Sequence, residues 1–192
     1  MKSRITNLQH PGIDRSQIRL KAHYNYQKQH TTKYKSINKH IIMSINKLLK
    51  IESVNDENIE ILDFIEIISN HNPEIIKYYF SVTIFDGMPN NKFKGSFMDL
   101  YNQINDDQFL FDYSGVKDFF LGTSQIFDLL LLIDKENSFF KKYSIEEEKT
   151  MYENIYLTIA YFDGGFWEIS CKDDLLINKL KNKFIQSEII NI

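Results

Sequence analysis

Apolar side chains recur at every third or fourth position in the segment that follows Ser36, which is the spacing of one face of a helix. They are Ile37, Ile41, Ile42, Ile45, Leu48 and Leu49. A second stripe predicts another helix, beginning near Asn55, a favoured N-cap residue followed by two acids, and ending at residues 70–73. Its buried residues include Ile59, Leu62, Ile65 and Ile68.

Residues 78–85 change to strict alternation, which predicts a strand that Asp86-Gly87 closes as a turn. Ser96 then caps a short predicted helix that runs to Ile104, and residues 109–111 read as a short strand. The apolar run 126–133 is ambiguous. It fits a helix capped by Ser124, and it fits a buried strand equally well.

The clearest pattern is a hairpin, in which residues 155–162 and 166–171 flank Asp163-Gly164-Gly165. A three-residue loop places Tyr161 opposite Trp167, Ile159 opposite Ile169 and Leu157 opposite Cys171. This register gathers the apolar side chains on one face. It leaves the other face, predicted to be exposed, to Tyr156, Thr158, Glu168 and Ser170.

A final helix is predicted after the hairpin, capped by Asp173 or Asp174, with Leu176, Leu180 and Phe184 one turn apart. The sequence of elements predicts an α+β fold: N-terminal helices on a small, mostly antiparallel sheet, then the hairpin and its helix. We expect one α+β domain over residues 36–192. This domain follows an irregular arm, residues 1–35, which contains residues typical of turns but shows neither helical nor strand periodicity.

Charge separates along the chain. Residues 1–40 hold nine lysines and arginines against one acid, a net charge of +8, whereas the remainder holds 14 basic and 25 acidic residues, −11. The basic segment also interleaves tyrosines with its cations, which suits phosphates and unpaired bases. Three interpretations stay open: the arm lies across its own acidic globule, contacts a protein partner, or binds nucleic acid. The acidic body makes nucleic acid the less favoured partner.

No familiar catalytic pattern is present in the sequence. It lacks a G-x-S-x-G elbow, a P-loop and a G-x-G-x-x-G loop. Cys171 falls on the predicted inner face of the hairpin and is expected to be a buried structural thiol. His71 is expected to cap a helix end. We therefore expect no enzyme activity and no cofactor. We also expect no metal site, since the arm histidines lack ligand spacing: His10, His23, His30 and His40.

A single cysteine, the absence of a secretory leader pattern and a longest apolar run of five residues predict a cytoplasmic protein without membrane contact.

Clusters of acids alternate with aromatic residues in the body. Acidic clusters of this kind are most often solvated faces, and the alternative is a surface that imitates nucleic acid toward a cationic partner. The residues predicted to contact a partner are Asp106, Asp107, Asp112, Tyr113, Glu146, Glu147 and Glu148.

Residues 155–184 read IYLTIAYFDGGFWEISCKDDLLINKLKNKF. A strand ending in Asp-Gly-Gly, an aromatic-Trp-Glu-Ile strand and a short helix rich in lysine and leucine resemble the closing module of bacterial immunity proteins. These are the cytoplasmic antidotes of contact-dependent growth-inhibition and other polymorphic toxins. The resemblance covers about 30 of 192 residues and leaves the arm unmatched. It implies that the chain binds a cognate toxin domain, often a nuclease, and performs no chemistry itself.

Overall fold

Seven strands and five α-helices are formed by the residues that this computed structural model describes, namely 47–52, 59–106, 109–162 and 165–192. The strands are β1 (Lys47–Glu52), β2 (Tyr79–Pro89), β3 (Phe109–Phe111), β4 (Thr123–Asp134), β5 (Leu157–Phe162), β6 (Phe166–Cys171) and β7 (Ser187–Asn191). The helices are α1 (Ile61–His71), α2 (Phe97–Asp106), α3 (Tyr113–Leu121), α4 (Glu148–Asn154) and α5 (Asp174–Lys183). Two 3-10 helices cover Pro73–Lys77 and Ile145–Glu147. All belong to the second of two compact units, Ser44–Ile192; the first unit, Met1–Met43, lies outside the described residues.

The seven strands form one sheet in the order β3-β2-β4-β5-β6-β1-β7, and every neighbouring pair is antiparallel. The predicted α+β class is therefore confirmed, with a sheet larger than expected. The predicted hairpin register is confirmed residue by residue, since Tyr161 lies opposite Trp167 and Leu157 opposite Cys171.

Both faces of the sheet are covered. Helices α1, α2, α3 and α5 pack on one face, called here the helical face, around Phe64, Val116, Leu131, Trp167 and Leu180. The opposite face, called the second face, carries Leu48, Leu130, Leu132 and Ala160. It is covered by Phe140, Met151, Tyr152 and Ile155, all from residues 135–156. None of the described helices is long and apolar enough to cross a membrane.

The segment 135–156, which covers the second face, overturns one expectation about the hairpin. Thr158, Glu168 and Ser170, predicted to face outward, have exposed fractions of 1%, 2% and 5%. Tyr156, the residue before β5, is half-buried and packs against the core on the helical face instead. The alternation within β5 and β6 predicted two faces correctly. It could not reveal that a separate segment covers the polar one.

The predicted helix after Ser36 is wrong over residues 47–52, which form β1. Residues 36–46 lie outside the described part of the chain. β1 lies between β6 and β7, so Leu48 is buried on the second face and Leu49 and Ile51 on the helical face. A strand buried on both faces has no alternation, and its apolar run therefore imitates a helix.

Helix α1 begins later than predicted. Its N-cap is Glu60, whose backbone N–H donates to Asp63 Oδ2 at 2.9 Å in a capping box, and it ends at His71 as expected. The prediction that His71 caps the helix end is wrong. The N–H of Asn72 caps the Ile68 carbonyl, while the His71 ring contacts Asp173. Residues 55–57, where the start was predicted, lie outside the described residues.

The predicted turn at Asp86-Gly87 is also wrong, because β2 continues through it to Pro89 along β4. A register shift between Asp86 and Gly87, with others at Val82/Ile84 and Met88/Pro89, marks an irregular strand. A Cβ on Gly87 would lie 2.5 Å from the Gln125 carbonyl oxygen. Glycine is therefore required for close approach of the two strands.

Three other predictions are settled by the structure. The run 126–133 is part of strand β4, and Ser124 donates its hydroxyl to the Met88 carbonyl at 3.1 Å instead of capping a helix. The helix after Ser96 and the strand at residues 109–111 are both present, and Asp99 N–H donates to Ser96 Oγ at 3.2 Å. The cap of α5 is Asp173, one of the two predicted candidates. Helices α3 and α4 and strand β7 were not predicted.

Candidate functional site

Asp112 and Tyr113 stand at the start of α3, on the helical face of the sheet. Asp112 Oδ1 accepts the Gly115 N–H at 2.7 Å and the Ser114 hydroxyl at 3.0 Å, which caps the helix. These two hydrogen bonds, the one from Gly115 first, hold the pKa of Asp112 below its usual range. The Tyr113 ring lies 6.0 Å from the Phe80 ring and is half-buried. The exposed acid is therefore ionised and fixed in direction.

Glu146, Glu147 and Glu148 lie in the segment that covers the second face. Glu147 Oε1 accepts a hydrogen bond from Lys141 Nζ at 2.6 Å, and Glu147 Oε2 accepts one from the Ser144 N–H at 3.1 Å. The Lys141 hydrogen bond is the main reason why the pKa of Glu147 is lowered. Hydrogen bonds from its own backbone N–H and from Ser144 lower the pKa of Glu146. Glu146 and Glu147 are therefore held by local contacts.

The structure does not gather the predicted contact residues into one surface. Tyr113 packs with the cluster on the helical face, whereas Tyr152, which donates to Glu148 Oε1 at 2.8 Å, belongs to the cluster on the second face. Asp106 is the last residue of α2, and its side chain, like all of Asp107, lies outside the described residues. The prediction therefore divides into two separate candidate surfaces.

The acidic character of the covering segment is lower than its glutamates suggest. Residues 135–156 contain five glutamates and four lysines. Lys141 pairs with Glu147, and Lys149 Nζ lies 3.8 Å from Glu153 Oε1. Glu146 keeps an exposed carboxylate beside Ile145, which is 51% exposed, and Phe139 nearby in the sequence is 50% exposed. Here an exposed acid adjoins exposed apolar surface.

A row of side chains on the second face was missed by the sequence analysis. Ala160, Glu168, Lys50 and Glu188 lie in register across β5, β6, β1 and β7. Lys50 Nζ lies 3.0 Å from Glu52 Oε1 and 4.8 Å from the centre of the Phe166 ring. One lysine is therefore surrounded by acids from three strands.

Glu168 is the most perturbed acid in this row. Burial, and to a smaller extent nearby Glu148, raise its pKa to about 7, and Lys50 partly opposes both effects. Near neutral pH the carboxyl group is therefore divided between its neutral and its charged form. The glutamate was visible in the sequence, but it reads as a solvent-facing position unless the covering segment is known.

Two other reactive side chains have structural surroundings. Cys171 is 7% exposed, and burial raises the pKa of its thiol to about 12, so it stays protonated and weakly nucleophilic at neutral pH. This confirms the predicted buried thiol. His71 Nε2 lies 2.9 Å from Asp173 Oδ2 and joins the end of α1 to the start of α5. Among the described residues, no group of three or more histidine, cysteine or acidic side chains is arranged to hold a metal ion.

Comparison with known proteins found no matching family model, no matching curated protein and no matching solved structure.

Proposed function

We propose that this chain is a non-catalytic binding protein that neutralises a cognate toxin domain, of nuclease type, by covering its active site or the access to it. The observation that carries the proposal is the pair of exposed carboxylates at Asp112 and Glu146, each held in direction by local hydrogen bonds. Fixed negative charges of this kind suit a cationic, phosphate-binding active site. The resemblance of residues 155–184 to immunity proteins supports the same reading.

The surface around Glu146 is the better candidate for the contact. Interfaces combine an apolar centre with a polar rim, and the covering segment exposes Ile145 next to Glu146 and also exposes Phe139. At the start of α3, by contrast, Tyr113 is already packed on Phe80 and beneath Lys117, whose Nζ lies 5.3 Å from its ring centre. We therefore assign the first encounter with the toxin to residues 139–148.

Co-expression tests the proposal directly. The C-terminal domain encoded by the adjacent upstream gene is expressed in a host cell with and without this chain, and growth is recorded. We expect the domain alone to arrest growth, and co-expression to restore it and to yield a complex that co-purifies. An upstream gene without a toxic domain, or toxicity unchanged by this chain, contradicts the proposal.

Charge reversal at Glu146 tests the assigned surface. Because rim charges act mainly on encounter, we expect Glu146→Lys to slow association roughly threefold to tenfold and to change dissociation less. Surface plasmon resonance at low salt measures both rates. Glu66→Lys is the matched control, since Glu66 is exposed on α1, on the other side of the sheet. Equal association rates for Glu146→Lys and the unmodified chain would show that Glu146 lies outside the contact surface.

A further inference from the structure

Strand β7 ends the sheet, and among the described residues β1 is its one neighbouring strand. Its sequence, Ser-Glu-Ile-Ile-Asn, contains one charged residue and no proline. Natural edge strands are commonly protected by lysine, proline, a bulge or very short length. The opposite edge, β3, is protected in this way because it is three residues long. Within its own five residues, β7 has no lysine, no proline and no bulge, and Glu188 is its one charged side chain.

The hydrogen-bonding direction along β7 can be assigned. Glu52 N–H donates to the Gln186 carbonyl at 3.1 Å, and these residues extend the register in which Ile51 faces Ser187 and Lys50 faces Glu188. Directly opposed antiparallel residues alternate between hydrogen-bonded and non-hydrogen-bonded pairs. The backbone N–H and C=O groups of Glu188 and Ile190 therefore form hydrogen bonds with β1. The backbone groups of Ser187, Ile189 and Asn191 point away from the sheet.

The outward-pointing backbone N–H and C=O groups of β7 can pair with the same groups of a second, antiparallel β7. If a second β7 pairs antiparallel about Ile189, each Ser187 lies opposite Asn191 of the other copy, and Ile189 lies opposite Ile189. All three are then positions whose N–H and C=O point outward. The charged Glu188 lies opposite Ile190 of the other copy, not opposite another Glu188. No like charges on the two strands face each other directly.

The side chains support the same pairing. Ile189 packs at the border of the core on the helical face, and Ile190 packs at the border of the core on the second face. Both are half-buried. A second strand would extend both cores sideways and cover the remaining exposed part of each isoleucine. We propose that β7 pairs with β7 of a second copy of this chain, joining two sheets into one continuous antiparallel sheet.

The mass of the full-length chain in solution tests this proposal without any toxin, so the outcome is independent of the proposed function. Sedimentation equilibrium from about 1 to 200 µM is expected to show the mass moving from one copy to two within this range. In the same range, amide exchange followed by NMR should slow at Ser187, Ile189 and Asn191, with a smaller change at Glu188 and Ile190. A single copy at the highest concentration, or exchange independent of concentration, overturns the proposal.

A matched pair of variants tests the register. Ile189→Lys places two lysines opposite each other across the two-fold axis, so we expect the dimer to weaken at least about tenfold. Ile190→Lys places each lysine opposite Glu188 of the other copy, so we expect association to be kept. Circular dichroism confirms that each variant is folded. Equal weakening by both substitutions would overturn the register, and the exchange pattern of the unmodified chain decides the pairing even if a variant fails to fold.

Discussion

Ionisation of Glu168 opposes folding, because the folded state buries its carboxyl beside Glu148 while the unfolded chain leaves it in water. Its pKa is about 7 in the folded state against 4.5 for an ordinary glutamate. Between these values the folded state holds more protons than the unfolded state, so this group lowers the stability as pH rises. Below pH 4.5 both states are protonated and the effect vanishes. Above pH 7 it is complete.

We therefore expect Glu168→Gln to stabilise the chain in a pH-dependent way. Each pKa unit corresponds to about 1.4 kcal/mol, so the gain is at most about 3 kcal/mol at pH 8 and close to zero at pH 4. Urea unfolding of both proteins at several pH values measures it. Glu188→Gln is the control, because it makes the same substitution at an exposed position of the same row. Stability curves that run parallel for Glu168→Gln and the unmodified chain would contradict the assignment.

At the scale of elements, Asp173 connects two helices of the helical face. Its Oδ1 accepts hydrogen bonds from the N–H groups of Leu175 and Leu176 at 2.9 and 3.3 Å, which caps α5. Its Oδ2 lies 2.9 Å from Nε2 of His71 at the end of α1. The ring of Phe64 in α1 also lies 5.1 Å from that of Phe184, the C-cap residue of α5. One carboxylate therefore supports a helix start and an interhelical contact.

Replacing Asp173 by alanine is expected to cost about 1–2 kcal/mol, because an N-cap is lost and the His71 ring loses its partner. Asp174→Ala is the matched control. Asp174 is exposed and pairs with Lys47 Nζ at 2.9 Å at the surface, so its loss should cost less than about 1 kcal/mol. Guanidinium unfolding at pH 7 compares the two. A larger loss for Asp174→Ala would contradict the structural assignment of the cap.

At the scale of the whole molecule, the charge separation along the chain leaves one alternative function: a nucleic-acid-associated accessory protein that works through residues 1–35. The first 40 residues carry +8, and the remainder carries −11. Phosphate contacts make affinity fall steeply with salt, whereas a chain whose acidic body dominates should repel nucleic acid.

Filter binding of single-stranded nucleic acid separates these outcomes. The alternative function predicts retention at low salt that falls steeply with ionic strength and disappears when residues 1–35 are deleted. The toxin-binding proposal predicts little retention by either form. Retention that survives the deletion contradicts the role assigned to the arm.

Much of the local structure could be predicted from the sequence. The alternation and the Asp-Gly-Gly loop specified the β5–β6 register, and Asp173 and Ser96 marked two helix starts. These features depend on side chains within a few residues of each other, which is the range over which capping and turn preferences act. The acids proposed for partner binding were also visible, as charged positions on predicted loops.

Tertiary structure decided what lies on the two faces of the sheet. β1 and β4 are strands because neighbours on both sides complete their hydrogen bonds, and burial on both faces removes the alternation that identifies a strand. For the same reason, Glu168 became a buried acid with a raised pKa, and the predicted contact acids divided between two opposite faces. The sequence determines which side chains share a face of each strand. Only the arrangement of distant segments determines which of those faces meets water, because burial is a property of the whole packed chain.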